Sequence, residues 1–214
     1  MSKEYEVQVI DVDIVEMRKK LKKIGGKKVH SEQKLVRAAF KLCNSDNGFV
    51  RVRFEGDKKT KMTVKTYTNP KFPIENEITI KEGFEEGKAF LQSLNLDLKA
   101  FQETYREKWS LPIDNVHEIT FDTWPGLPQW MEIDCTKERT MNEVIKKLGI
   151  PKEKISYGPV SVRYELYYGI QPKIINEMTP SLTFKNIHRE IKPKKNIDLF
   201  KKTIEQQKKK YLKN

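Results

Sequence analysis

Phe49-Val50-Arg51-Val52-Arg53-Phe54 alternates without a break between apolar and arginine side chains. Side chains two apart on a strand share a face, so this stretch reads as a strand with Val50, Val52 and Phe54 on one side and Arg51 and Arg53 on the other. An ordinary half-buried sheet turns such a charged face to water. The neighbouring segments argue for another arrangement. Lys61, Thr63 and Lys65 oppose Met62 and Val64, and Glu75 and Glu77 oppose Ile74, Ile78 and Ile80. Glu132 and Asp134 are backed by Met131 and Ile133, and Glu4 and Glu6 share a face opposite Tyr5, Val7 and Val9. Each pair carries one sign. Clustered carboxylates repel unless a cation sits among them, and clustered arginines call for an anion. Closing the sheet would put both sets inside one tunnel, with helices over its apolar outer face.

Outward from that strand, the pattern predicts strands over residues 4–10, 34–42, 62–67, 74–80, 102–111, 117–123 and 129–135. Helices are predicted over 14–24, with Met17 and Leu21 on one face and Gly25-Gly26 as the stop, over 85–94, and over 142–148, ended by Gly149 and Pro151. Such a set implies an α+β barrel or sandwich.

The chain has 214 residues, enough for one domain with a real core and an appended segment. With 37% apolar and 34% charged residues it reads as a soluble globular protein, and no apolar run approaches the roughly 18 residues of a membrane span. Cys43 and Cys135 are too few for a disulfide framework and are not spaced for zinc. A reducing, cytoplasmic location is expected, and the start Met1-Ser2-Lys3-Glu4 lacks the apolar stretch of a secretory signal. Net charge is +12, which favours polyanionic partners. The excess is uneven: from Asn186 onward ten basic residues stand against three acidic. The expected organisation is therefore a domain over 1–185 and a basic, helical tail over 186–214. Leu199, Phe200 and Ile204 could dock that tail, and its charge admits nucleic acid as a further partner.

Oxygen-rich carboxylate clusters hold hard divalent ions such as Mg²⁺ or Mn²⁺, while Arg and Lys grip phosphate oxygens. A metal-activated water can then attack phosphorus in line. His30, His117 and His188 are isolated in sequence and are expected to play no part.

The same residues resemble the CYTH, or triphosphate tunnel metalloenzyme, superfamily, which includes class IV adenylyl cyclases, thiamine triphosphatases and inorganic triphosphatases. Glu4-Tyr5-Glu6-Val7-Gln8 is similar to its amino-terminal Glu-x-Glu-x-Lys, with Gln8 in place of the lysine. Arg51-Val52-Arg53, Thr63-Val64-Lys65 and Glu75-Asn76-Glu77 resemble its Arg-x-Arg, Thr-x-Lys and central Glu-x-Glu strands. Gln102 to Trp109 resembles the Lys-x-Arg strand, with Arg106 kept and Thr104 in the lysine position. The segment from Asp122 through Gly126-Leu127 to Glu132-Ile133-Asp134 looks like the family's Asp…Gly-Leu…Glu-Ile-Glu segment.

The resemblance runs in order across roughly residues 3–185. It implies a closed eight-stranded antiparallel β-barrel, a triphosphate tunnel, with flanking helices. It also implies that Glu4, Glu6, Glu132 and Asp134 hold metal, with Asp122 and Glu77 assisting. Arg51, Arg53, Lys65 and Arg106 would bind the triphosphate, with Gln8 facing it, and Glu4, Glu6, Arg53 and Lys65 would carry the catalysis. The expected activity is metal-dependent hydrolysis of an inorganic or organic triphosphate. A class IV-type adenylyl cyclase, an RNA 5′-triphosphatase and a non-catalytic polyphosphate or nucleotide binder are the alternatives.

Overall fold

The computed structural model describes residues 2–3, 5–43, 45–56, 59–67 and 74–212. The strands are β1 (Ser2–Lys3), β2 (Tyr5–Val9), β3 (Lys27–Leu42), β4 (Ser45–Phe54), β5 (Thr60–Thr66), β6 (Ile74–Ile80), β7 (Leu98–Ser110), β8 (Val116–Thr123), β9 (Trp130–Cys135), β10 (Ile155–Ser156) and β11 (Ser181–Leu182). The helices are α1 (Ile14–Lys23), α2 (Phe84–Ser93), α3 (Glu138–Leu148), α4 (Val160–Tyr168), α5 (Pro172–Glu177), α6 (Ile187–Glu190) and α7 (Ile197–Tyr211). Among the described residues, no helix is long and apolar enough to cross a membrane.

The strands join in one sheet in the order β1-β6-β5-β4-β3-β7-β8-β9-β2-β10, with β11 alongside β7. Every pairing is antiparallel except β11 with β7. The sheet curls into a half-barrel with helices against it. One segment of chain contributes to both flanks of the sheet: Ser2 and Lys3 pair with β6, while Tyr5 to Val9 pair with β9. Three two-residue strands, β1, β10 and β11, make the sheet larger than the eight strands expected.

Much of the outer apolar face is covered, although Ile78 of β6 is 62% exposed. Val7, Val9, Ile119, Phe121, Met131 and Ile133 pack under Met17 and Leu21 of α1 and Met141, Val144 and Leu148 of α3. The Asp13 carboxylate caps α1 by accepting from the backbone N–H groups of Val15 at 2.8 Å and Glu16 at 3.1 Å. On the other flank Leu91 of α2 covers Ala38, Phe40, Val50 and Val52. Gly87 permits that approach, because a Cβ there would lie 2.8 Å from Val52 Cγ2 and 2.9 Å from Ile80 Cδ1.

A third apolar cluster joins Trp124, Leu127 and Trp130 to α4, α5, α6 and α7. Within it α7 buries Phe200 and Ile204, whereas Leu199, expected to help dock the helix, is 38% exposed. Gln207 takes its place as an anchor. Its amide donates to the carbonyls of Trp124 (3.0 Å) and Leu127 (2.9 Å) and accepts from Gly126 N–H at 2.7 Å. Gly126 sits at φ +73°, with Phe200 Cε2 where a Cβ would need room, at 2.8 Å.

Candidate functional site

Inside the curl is a cavity of about 210 Å³ lined by polar side chains from β2 to β9. Glu6, Gln8, Arg51, Arg53, Lys65, Glu77, Arg106, Asp122, Glu132 and Asp134 all line it. Glu4 lies outside the described residues. The period-2 reading thus places each described candidate on the inner face, opposite the covered apolar residues.

Cations dominate one wall. Arg51 Nη2 lies 3.6 Å from Glu75 and 3.8 Å from Glu77, and its Nε donates to Thr63 Oγ1 at 3.3 Å. Arg53 pairs with Glu55 and stands 3.6 Å from Glu77, which also accepts from Lys61 at 2.7 Å. Glu77, expected beside a metal, is therefore held by the basic cluster. Lys65 pairs with Glu75 and lies 3.7 Å from Glu6. Since β5 and β2 are not hydrogen-bonded neighbours, that last contact spans the inside of the curl. Burial alone would lower the Lys65 ammonium, but Glu6 and Glu75 hold it above its ordinary value. Burial likewise opposes the charge on Glu75, yet Arg51 and Lys65 pull its carboxyl down to about 2.

Arg37, a residue the sequence reading passed over, completes this wall. Its Nη2 donates to Thr104 Oγ1 at 2.9 Å, and its guanidinium lies over the Trp124 ring at 4.7 Å. Thr104 thus serves as an acceptor for Arg37. The side chain is 8% exposed and its Nε is buried without a partner, as is Nε of Arg53. Burial, then the nearby Arg51 and Arg53, push the Arg37 guanidinium well below its ordinary value. Buried cations that repel one another and retain free donors suit a bound anion.

Carboxylates gather on the other wall. Glu6 pairs across strands with Asp134, and Gln8 with Glu132. Burial, followed by Glu6 and Asp122, drives the Glu132 carboxyl well above its ordinary value. Burial also raises Asp134, whose Oδ1 is enclosed without a partner. Arg106 joins this wall instead of the cationic one. It donates to both oxygens of Asp122 (2.7 and 2.5 Å), to Glu118 (3.1 Å) and to Glu132 (3.3 Å). Both Arg106, expected on the triphosphate, and Asp122, expected near metal, are engaged with each other.

Among the described residues no group of three or more His, Cys, Asp or Glu side chains forms a ready metal cage. The donor chemistry nevertheless fits a hard cation: the set is all oxygen, its charges repel, and Asp134 Oδ1 is buried without a hydrogen-bond partner. Histidine is not absent, contrary to expectation. His117 lines the cavity and its Nδ1 lies 3.1 Å from Asp134 Oδ2, a contact that raises the imidazole above its ordinary value. Glu118 and Lys108 form a further cavity-side ion pair.

No family model matches the chain, and no curated protein is significantly similar to it. Solved structures share its fold. The PH1012 protein from Pyrococcus horikoshii superposes with a TM-score of 0.58 at 17% identity, over 72% of this chain and 94% of that one. An adenylate cyclase candidate from Vibrio parahaemolyticus superposes with a TM-score of 0.63 at 10% identity, over 77% and 98% of the two chains. HpAC1 from Hippeastrum, an adenylyl cyclase candidate with a dominant triphosphatase activity, gives 0.50 at 12% identity, over 74% and 91%.

Proposed function

This chain has the fold of the CYTH superfamily, and from that premise we propose that it is a metal-dependent hydrolase of a triphosphate substrate, with the sheet closed around the substrate as a tunnel. The observation that carries the reading is the division of the cavity. Arg37 and Arg53, buried guanidiniums that each keep an unpartnered Nε, line the same cavity as a repelling set of buried carboxylates in which Asp134 keeps an unpartnered oxygen. An anion and a cation together relieve both, and a triphosphate with a divalent ion is such a pair.

In this reading Arg37, Arg51, Arg53 and Lys65 bind and orient the phosphate oxygens and neutralise charge that develops on them. Glu6, Glu132 and Asp134, together with Glu4, would hold Mg²⁺ or Mn²⁺, which supplies Lewis acidity toward phosphoryl oxygen and water. Arg106 fixes Asp122 and Glu132, so it orients carboxylates rather than substrate.

The test is to incubate purified protein with tripolyphosphate, ATP, thiamine triphosphate and capless RNA, with Mg²⁺ or Mn²⁺. Release of orthophosphate is the expected product. Pyrophosphate with a cyclic nucleotide would mark a cyclase instead. Binding without turnover of any of them would make the chain a polyphosphate or nucleotide binder, and no binding at all would overturn the reading.

A further inference from the structure

Arg163, four residues into α4, is fully buried at 0% exposure and is not part of the cavity lining. Its Nε donates to Gln8 Oε1 at 2.6 Å and its Nη2 to the Tyr157 carbonyl at 3.2 Å. Nη1 is buried with no partner. Among the described residues its hydrogen-bond acceptors are an amide and a carbonyl, not a carboxylate. A neutral donor could make the same two bonds, whereas burying an uncompensated guanidinium costs several kcal/mol. The charge itself therefore needs an explanation.

Gln8 points to one. A guanidinium only donates, so Gln8 must turn Oε1 to Arg163 and aim its NH₂ forward. That NH₂ lies 3.3 Å from the Gly158 carbonyl and 3.5 Å from Glu132 Oε2, at the cavity wall. Burial lowers the Arg163 guanidinium, while Tyr167 and then the cavity carboxylates Glu132 and Glu6 act in the opposite direction. Through Gln8 the guanidinium thus stands one side chain behind the cavity wall.

We propose that Gln8 and Arg163 form a cationic arm of the cavity wall, in which Arg163 acts as a positioning residue that orients Gln8 and lends its charge to triphosphate binding from behind. This rests on the triphosphate reading above. Calorimetric titration with tripolyphosphate in metal-free buffer isolates the effect from any cation.

Arg163→Met is expected to weaken binding by about tenfold or more, and Arg163→Lys to stay within about threefold of wild type. The double variant Gln8→Lys/Arg163→Met, which moves the charge one side chain forward, should recover affinity to within about threefold. Gln8→Lys alone sets two cations together and should lower the melting temperature, an effect the second substitution reverses. A purely structural arginine would not be rescued by a lysine at position 8.

The inference is overturned if Arg163→Met binds like wild type, or if the double variant stays as weak as Arg163→Met. Melting curves identify any variant that does not fold. If Arg163→Met is one, a folded double variant that binds supports the arm, and a folded one that does not bind refutes it. A wild-type protein that fails to bind tripolyphosphate sinks the triphosphate reading itself, a result distinct from wild-type binding that is indifferent to Arg163.

Discussion

Glu118→Gln should destabilise the protein in a way that depends on pH. The Glu118 carboxylate, with a side chain 16% exposed, is gripped by Arg106 at 3.1 Å and by Lys108. Burial works against its charge, but these two cations draw the carboxyl from an ordinary 4.5 down to about 2. A carboxylate lowered on folding stabilises the fold above its unfolded value, and that contribution is lost as pH falls through the folded one. The difference is worth about 3 kcal/mol at pH 7 as an upper figure. By linkage it shrinks to roughly half of that at pH 3 and is mostly gone at pH 2. Urea unfolding of wild type and variant at neutral pH and at pH 3 measures the gap. A gap of the same size at both values would mean that Glu118 contributes packing or neutral hydrogen bonds and not its charge.

Arg53→Ala should cut tripolyphosphate turnover by about a hundredfold or more while the fold survives, because a charge-assisted contact to developing phosphate charge is lost. Wild-type turnover in a steady-state assay would remove Arg53 from the substrate. Glu132→Gln should raise the melting temperature of the metal-free protein, since burial, Glu6 and Asp122 all disfavour its charge, and should weaken Mn²⁺ binding in a calorimetric titration. Unchanged Mn²⁺ affinity would count against Glu132 as a ligand. Gly126→Ala should cost about 1–3 kcal/mol, from its left-handed φ and the contact with Phe200, as read by chemical unfolding. A neutral effect would show that α7 can shift away at little cost.

Period 2 made the inner face legible because each of these strands has a fully apolar back: Val50 and Val52 behind Arg51 and Arg53, Met131 and Ile133 behind Glu132 and Asp134. The stretch from Lys27 to Gln33 carries no such alternation. It becomes strand by pairing with Arg106 to Ser110 of β7, a partner that local pattern does not reveal. Helix α4 was missed for a related reason. Its valines and tyrosines are apolar on several sides, so no stripe stands out, and Tyr164, Tyr167 and Tyr168 are buried by the surrounding helices and the Trp124 to Leu127 turn.

Arg37 and Arg163 read as single charges in the sequence, although Arg37 interrupts the apolar run Leu35 to Phe40 and Arg163 stands between Val162 and Tyr164. A lone arginine in such a run signals a buried guanidinium with a specific partner. His117 has no partner at ligand spacing along the chain, because its partner Asp134 sits on the adjoining strand.

The pairing of Ser2 and Lys3 with β6 and of Tyr5 to Val9 with β9 bears on how the molecule assembles. Residues 5–9 have their main-chain partners in β9 and β10, made well over a hundred residues later on the ribosome. During that interval the nascent segment has no mate for its peptide groups, and closing so long a loop comes late and slowly. Glu6 and Gln8, which alternate with Val7 and Val9, keep one face of that unpaired segment polar. Refolding should therefore show a slow final phase reporting on β2, with its amide protons the last among the central strands to gain protection from exchange.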